Sequence, residues 1–216
     1  MTYSLSATPL APLLFPLYDT KMTDIESLLQ FTAFTHQTHK VERVARINGM
    51  NRYANTVEHS YQLTLLAWYL IEKEKLPLDK DLVIKYALVH DVVETYAGET
   101  YIHDKKARAT KEKREHEAQV RIESEFPEFP DMHTLIKSYE AKEDAESNFV
   151  YALDKLIDPI NIYIENGKLW HEKQICLQDV LDSKTEKIHV DKTVNKYYEQ
   201  LVVLLRKNES TLFPKQ

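Results

Sequence analysis

The stretch DKDLVIKYALVHDVVE, residues 79–94, sets apolar side chains at 82, 83, 86, 87 and 89, the three- and four-residue steps of a helix that buries one face. Asp79 stands just ahead of it, where a carboxylate can accept the free N–H groups of a first helical turn. The periodicity carries His90 to or near the inward face, and Asp91 follows directly. A carboxylate buried there must be paired, hydrogen-bonded or bound to a metal ion, because desolvating it bare costs too much. Alone, the doublet means little, since a helix end with a core histidine would look the same.

Two neighbouring segments change that. Val57–Lys75 carries Tyr61, Leu63, Leu65, Leu66, Trp68, Tyr69 and Leu70, a pattern that predicts a mostly buried helix ended by Pro77, and His59 sits at its start between Glu58 and Ser60. Asp144–Ile164 is apolar at Phe149, Val150, Leu153, Leu156, Ile157 and Ile160, with Asp154 among them and a kink expected at Pro159. His59, His90, Asp91 and Asp154 thus supply two imidazoles and two carboxylates on three packed helices. Such a mixed set leaves positions open on one divalent ion: manganese, cobalt, zinc, iron or nickel, with magnesium possible.

The rest of the chain also reads as helix. Thr23 and Glu26 form a capping box ahead of a helix to about Thr38, and a polar, irregular stretch from Lys40 to Thr56 follows. Glu99–Thr110 reads as a loop, Lys111–Glu125 as a solvated helix of mixed charge, and Asp131–Tyr139, Lys173–Lys187 and Lys192–Arg206 as further helices. Only three glycines occur, about a fifth of ordinary usage, which argues against tight hairpins and glycine-rich phosphate loops. The expected organisation is all-α: an N-terminal arm over residues 1–22, a single domain over 23–208 and a C-terminal tail over 209–216.

Composition narrows the function classes. With 216 residues and 43% hydrophobic content, the chain can bury one substantial core. Its 28 Lys+Arg against 34 Asp+Glu give a formal charge of −6, the wrong sign for gripping an extended nucleic acid, although a small anion needs only a local basic pocket. Cys176 is the only cysteine, so no internal disulfide or zinc finger can form and a cytoplasmic location is the default expectation. No apolar run approaches the roughly 18–20 residues of a spanning helix, and the proline-interrupted N-terminus makes a poor signal peptide.

The order His59, His90-Asp91, Asp154 resembles the signature of the HD-domain metal-dependent phosphohydrolases, helical bundles built around a mononuclear metal site. The likeness is strongest to the bacterial 5′-deoxynucleotidase branch, through VEHS at 57–60, ALVHDVVE at 87–94, AGE at 97–99, KEKRE at 111–115 and LDKL at 153–156, and it spans about Arg43 to Ile164. The resemblance implies a metal held by the four residues named and a nucleotide phosphate ester as substrate, foremost a deoxyribonucleoside 5′-monophosphate. Glu94 would orient or activate the attacking water, and being three and four residues after the doublet it would share its face if the helix continued. Glu99 stands where the branch has aspartate and would handle the water or leaving-group oxygen. Arg43 would hold the phosphate, with Arg46 and Arg52 as competitors, and Lys105, Lys106 and Arg108 could close over a polyphosphate from the other side. The same resemblance implies a homodimer.

Three other readings stay open at this level: release of triphosphate from a deoxynucleoside triphosphate, a catalytically silent binding or regulatory module, and a cyclic-dinucleotide phosphodiesterase. The last would want further metal-binding histidines, and His103 and His116 lie in no such motif.

Overall fold

Thr23 accepts the Glu26 N–H at 3.4 Å while the Glu26 carboxylate accepts the Thr23 N–H at 2.8 Å, and this reciprocal cap starts α1 (Asp24–Thr38) as expected. The structure, a computed structural model, describes residues 22–101 and 104–215. The expected arm is therefore outside the described residues except for Met22, as is His103.

The stretch after α1 is not irregular. β1 (Glu42–Arg46) and β2 (Tyr53–Asn55) form an antiparallel hairpin in which Glu42 faces Asn55 and Arg46 faces Tyr53. Scarcity of glycine was a poor guide here, because one glycine suffices: Gly49, at φ +76°, sits in the connecting loop. The hairpin delivers the chain to a second capping box. Asn55 Oδ1 accepts the Glu58 N–H at 2.9 Å and Glu58 Oε2 accepts the Asn55 N–H at 3.0 Å, opening α2 (Thr56–Glu74).

Asp79 caps α3 (Lys80–Val89) by accepting from the N–H groups of Asp81 and Leu82. After a turn come α4 (Glu94–Ala97), α5 (Lys105–Arg108) within the expected loop, α6 (Lys111–Glu125) and α7 (Pro130–Ala141). Then follow α8 (Ala145–Ile164), α9 (Lys168–Lys173), α10 (Leu177–Ile188), α11 (Lys192–Lys207) and α12 (Glu209–Leu212). α8 runs on through Pro159, which cannot donate to the Lys155 carbonyl. The helix expected over Lys173–Lys187 is divided because Gln174 turns left-handed at φ 54° between α9 and α10.

α8 is the central strut and packs against α2, α3, α10 and α11. Its Phe149, Val150, Leu153, Leu156 and Ile157 join Leu63, Val83, Tyr86 and Leu205 in the main core. Each such side chain contributes roughly 1.5–3 kcal/mol on burial, which offsets the desolvation of Asp154 on the same helix. A smaller cluster gathers Phe34, Val93, Ala118, Ile122, Phe126 and Met132. Val89 touches both clusters, so the His90–Val93 turn lies where they meet.

Two expectations need correction. α2 is buried on one face only: Leu63, Ala67, Leu70 and Ile71 point inward, while Tyr61, Leu65, Trp68 and Tyr69 are exposed at 67%, 44%, 46% and 57%. α2 packs mainly on α3 and α8, and its last turn reaches Lys196 and Tyr197 of α11 through Glu74. The tail is also part of the fold as far as Phe213. Leu212 and Phe213 are buried, and Phe213 stacks on Trp170 with ring centroids 4.5 Å apart. The backbone here passes so close to Gly167, at φ +73°, that a Cβ there would lie 2.0 Å from the Leu212 carbonyl oxygen.

Candidate metal centre and its cavity

Four ligating side chains converge from three directions. His59 comes from the first turns of α2, His90 ends α3, Asp91 follows it, and Asp154 comes from the middle of α8. His59 Nε2 lies 2.8 Å from Asp154 Oδ1, and His90 Nε2 lies 2.9 Å from Asp91 Oδ2. The cross distances, His59 Nε2 to Asp91 Oδ2 and His90 Nε2 to Asp154 Oδ1, are both 4.0 Å, and the imidazole centroids are 5.2 Å apart. Potential ligand atoms of His59, His90 and Asp91 all fall within 4.8 Å of one another.

The donor set fits a divalent cation. His90 Nδ1 lies 3.0 Å from the Ala87 carbonyl and donates to it, so Nε2 is the ring atom turned toward the cluster. That buried Nε2 lies 2.9 Å from Asp91 Oδ2 but outside hydrogen-bond geometry. A buried imidazole nitrogen facing two carboxylates and a second imidazole suits a metal ion with mixed nitrogen and oxygen ligands. Burial pulls His59 below its ordinary range, assisted by the Arg43 charge and opposed by Asp154, which favours the neutral, ligating form. Burial pushes both aspartates upward, but His90 and Arg43 hold Asp91 far down, and Lys155 and His59 hold Asp154 well below the usual carboxylate range. Both stay ionised and able to ligate.

The centre opens into a cavity of about 330 Å³. Arg43, on β1, reaches across it with Nη1 2.8 Å from Asp91 Oδ2 and 3.3 Å from Glu99 Oε2, and with Nη2 3.8 Å from Asp158 Oδ2. Glu94 lines the cavity too, although not by the expected route. α3 stops at Val89, and a turn, with Val92 N bonded to the Val89 carbonyl and Glu94 N to that of Asp91, hands Glu94 to α4. It is buried, with the Thr56 hydroxyl 3.4 Å from Oε2. Burial, then the charges of Asp91 and Glu99, raise its proton affinity well above that of an ordinary glutamate. Such a carboxylate is suited to receive a proton near neutral pH. Glu99 is raised by burial against the pull of Arg43.

Two expected substrate contacts are not brought to this cavity. Arg46 points to the other side of β1, where it pairs with Glu172 at 3.2 Å and lies over the Tyr53 ring. Strand alternation separates it from Arg43. Lys105 is exposed at the start of α5, whereas Arg108, of the same expected group, lines the cavity. Sequence reasoning also passed over Lys155, Asp158, Lys184 and Lys187, which line the same wall. Lys155 Nζ lies 2.5 Å from Asp154 Oδ2, and its position next to a candidate ligand was a usable signal. Lys184 and Lys187 gave none, since lysines on a helix of mixed charge read as solvated.

Comparison with known proteins agrees with this geometry. Residues 35–194 match the HD domain family. The human protein 5′-deoxynucleotidase HDDC2 (Homo sapiens) is 31% identical over 164 residues, covering 75% of this chain and 76% of the relative. HDDC2 of Dictyostelium discoideum is 28% identical over 151 residues, covering 66% and 79%. Among solved structures, a predicted metal-dependent phosphohydrolase from Magnetospirillum magnetotacticum MS-1 superposes with a TM-score of 0.74 at 28% identity, over 90% of this chain and 100% of that one. A conserved hypothetical protein from Pyrococcus furiosus shares the fold, with a TM-score of 0.59 at 18% identity over 83% and 99%. The family match spans the segments that carry His59, His90, Asp91 and Asp154, and the chain belongs to the HD-domain family.

Proposed function

We propose that this protein is a metal-dependent phosphohydrolase that removes phosphate from deoxyribonucleoside 5′-monophosphates. The observation that carries the reading is the convergence of His59, His90 and Asp91, with Asp154 2.8 Å from His59, beside a cavity lined by Arg43, Glu94 and several lysines. The homology to 5′-deoxynucleotidases supports the substrate class. When held by the four ligands, one divalent ion supplies Lewis acidity toward a phosphoryl oxygen; manganese, cobalt, zinc, iron and nickel suit the donor set, and magnesium is possible.

The chain's own residues do the rest. Arg43 presents a guanidinium to the phosphate and neutralises charge that grows in the transition state. Glu94 accepts a proton from the attacking water and is poised for this by its raised affinity. Glu99 holds Arg43 Nη1 in place, a role its longer side chain can reach from the position where aspartate is usual. Phosphorus–oxygen cleavage then yields nucleoside and inorganic phosphate.

A homodimer in the cytoplasm completes the reading. The exposed Tyr61, Leu65, Trp68 and Tyr69 on α2 supply an apolar face suited to a second copy, and no helix among the described residues is long and apolar enough to cross a membrane. Light scattering of the purified chain checks the dimer; a monomer mass at micromolar concentration contradicts it.

The function is tested by incubating chelator-stripped protein with single divalent metals and a panel of nucleoside mono- and triphosphates, then separating the products. Nucleoside plus phosphate from deoxymonophosphates is the expected outcome. Intact triphosphate from a deoxynucleoside triphosphate would replace it with the triphosphohydrolase reading, and silence across the panel despite bound metal would favour a binding module.

A further inference from the structure

The cavity lining is more basic than one phosphate requires. Arg43, Lys111, Lys142, Lys155 and Lys184 each face a carboxylate: Lys111 lies 3.2 Å from Glu115, Lys142 3.4 Å from Glu140 and Lys184 3.7 Å from Asp158. Lys187 differs from them. It is half-buried in the same wall and has neither an ion pair nor a hydrogen bond among the described residues. It stands one turn of α10, about 5 Å along the axis, beyond Lys184, on the side away from the Lys184–Asp158 link to Arg43. Burial pulls its ammonium down to about 8, and the charges of Lys155, Lys184, Arg108 and Lys111 add to the fall, with no carboxylate among the causes. Nothing in the fold demands this crowding: Ile188 beside it is core, but Lys187 could have been any polar residue on the rim.

Resting on the phosphohydrolase reading, we infer that Lys187, with Lys111 and Arg108 across the cavity, forms a subsite for a second phosphoryl group of the substrate. The chemical class is a nucleotide that carries a phosphate beyond the one at the metal, either as a 5′-diphosphate or as a 3′,5′-bisphosphate. A dianion placed among these three cations relieves their repulsion, and a buried setting makes each contact stronger than on an open surface. A monophosphate held at Arg43 leaves this subsite to water.

The test is equilibrium binding to the metal-free, full-length chain, so that no turnover intervenes. Isothermal titration with dAMP, dADP and deoxyadenosine 3′,5′-bisphosphate compares one phosphate with two, and the better of the two-phosphate ligands identifies the source of the second group. The wild type should bind that ligand at least tenfold more tightly than dAMP. K187Q should shrink this ratio to within about threefold, and K187R should restore most of it. Equal affinity for all three ligands in the wild type overturns the inference, as does a K187Q variant that weakens dAMP and the two-phosphate ligand by the same factor. If the ratios behave as stated but no nucleotide is hydrolysed with metal, the subsite stands and the phosphohydrolase reading falls.

Discussion

The two walls of the cavity were built under different constraints. On the ligand wall, His59, His90 and Asp154 are almost fully buried, each at 4% exposure or less, and every polar atom must find a partner or a cation. On the basic wall, Lys187 is half-buried, keeps contact with water and needs no fixed partner geometry to be tolerated. Burial therefore makes the first wall exacting and the second permissive. The ligand wall should respond to single substitutions with large losses, and the basic wall with graded ones.

Asp154→Ala should have the largest effect. It removes a ligand and leaves Lys155 and His59 without their partner, and breaking a buried pair this way costs on the order of 3–5 kcal/mol. Metal content measured after reconstitution should fall to background together with activity; wild-type metal affinity would remove Asp154 from the centre. Next comes Glu94→Gln, which should keep the metal and lose about 10²–10⁴-fold in kcat. An unchanged rate would take Glu94 out of the proton transfer. Arg43→Lys keeps the charge but loses the planar fork that spans Asp91 and Glu99, so a loss of roughly tenfold in kcat/KM is expected, and full activity would show that charge alone suffices.

The smallest effect is on stability and depends on pH. Glu94 has a raised proton affinity in the folded, metal-free chain, so its contribution is intact below the unfolded value of about 4.3 and is lost as pH rises through the folded one. Glu94→Gln, which cannot ionise, should therefore raise the Tm of the metal-free protein at pH 8 and leave it nearly unchanged at pH 4. A gain that is the same at both would mean that the carboxylate is not held protonated by its surroundings.

The same contrast decides how much was legible before the structure. The candidate ligands stood out because His90-Asp91 and Asp154 break otherwise apolar helices, and a break of that kind has few structural explanations. The caps at Thr23 and Asp79 and the periodicity of α3 and α8 were equally plain. The hairpin was not, because its strands are three to five residues long and its loop spends only one glycine. The solvent face of α2 was misjudged because Trp68 and Tyr69 carry the same apolar signal whether or not a neighbour covers them. The α3–α4 turn was hidden for another reason: Val92, Val93 and Glu94 would suit a continued helix, and only packing against Phe34 and Ile122 in the smaller cluster shows Val93 committed elsewhere. Lys184 and Lys187 carried no signal at all, since nothing in a sequence separates a lysine that faces a cavity from one that faces bulk water.

The central claim is that one metal ion, held by His59, His90, Asp91 and Asp154, makes this chain a nucleotide phosphohydrolase. The most direct measurement titrates manganese into chelator-stripped protein while bound metal and phosphate release from dAMP are followed together. The account predicts that activity rises in proportion to occupancy and saturates at one ion per chain. Phosphate release that ignores the metal, or a fully loaded centre that releases none, would contradict it.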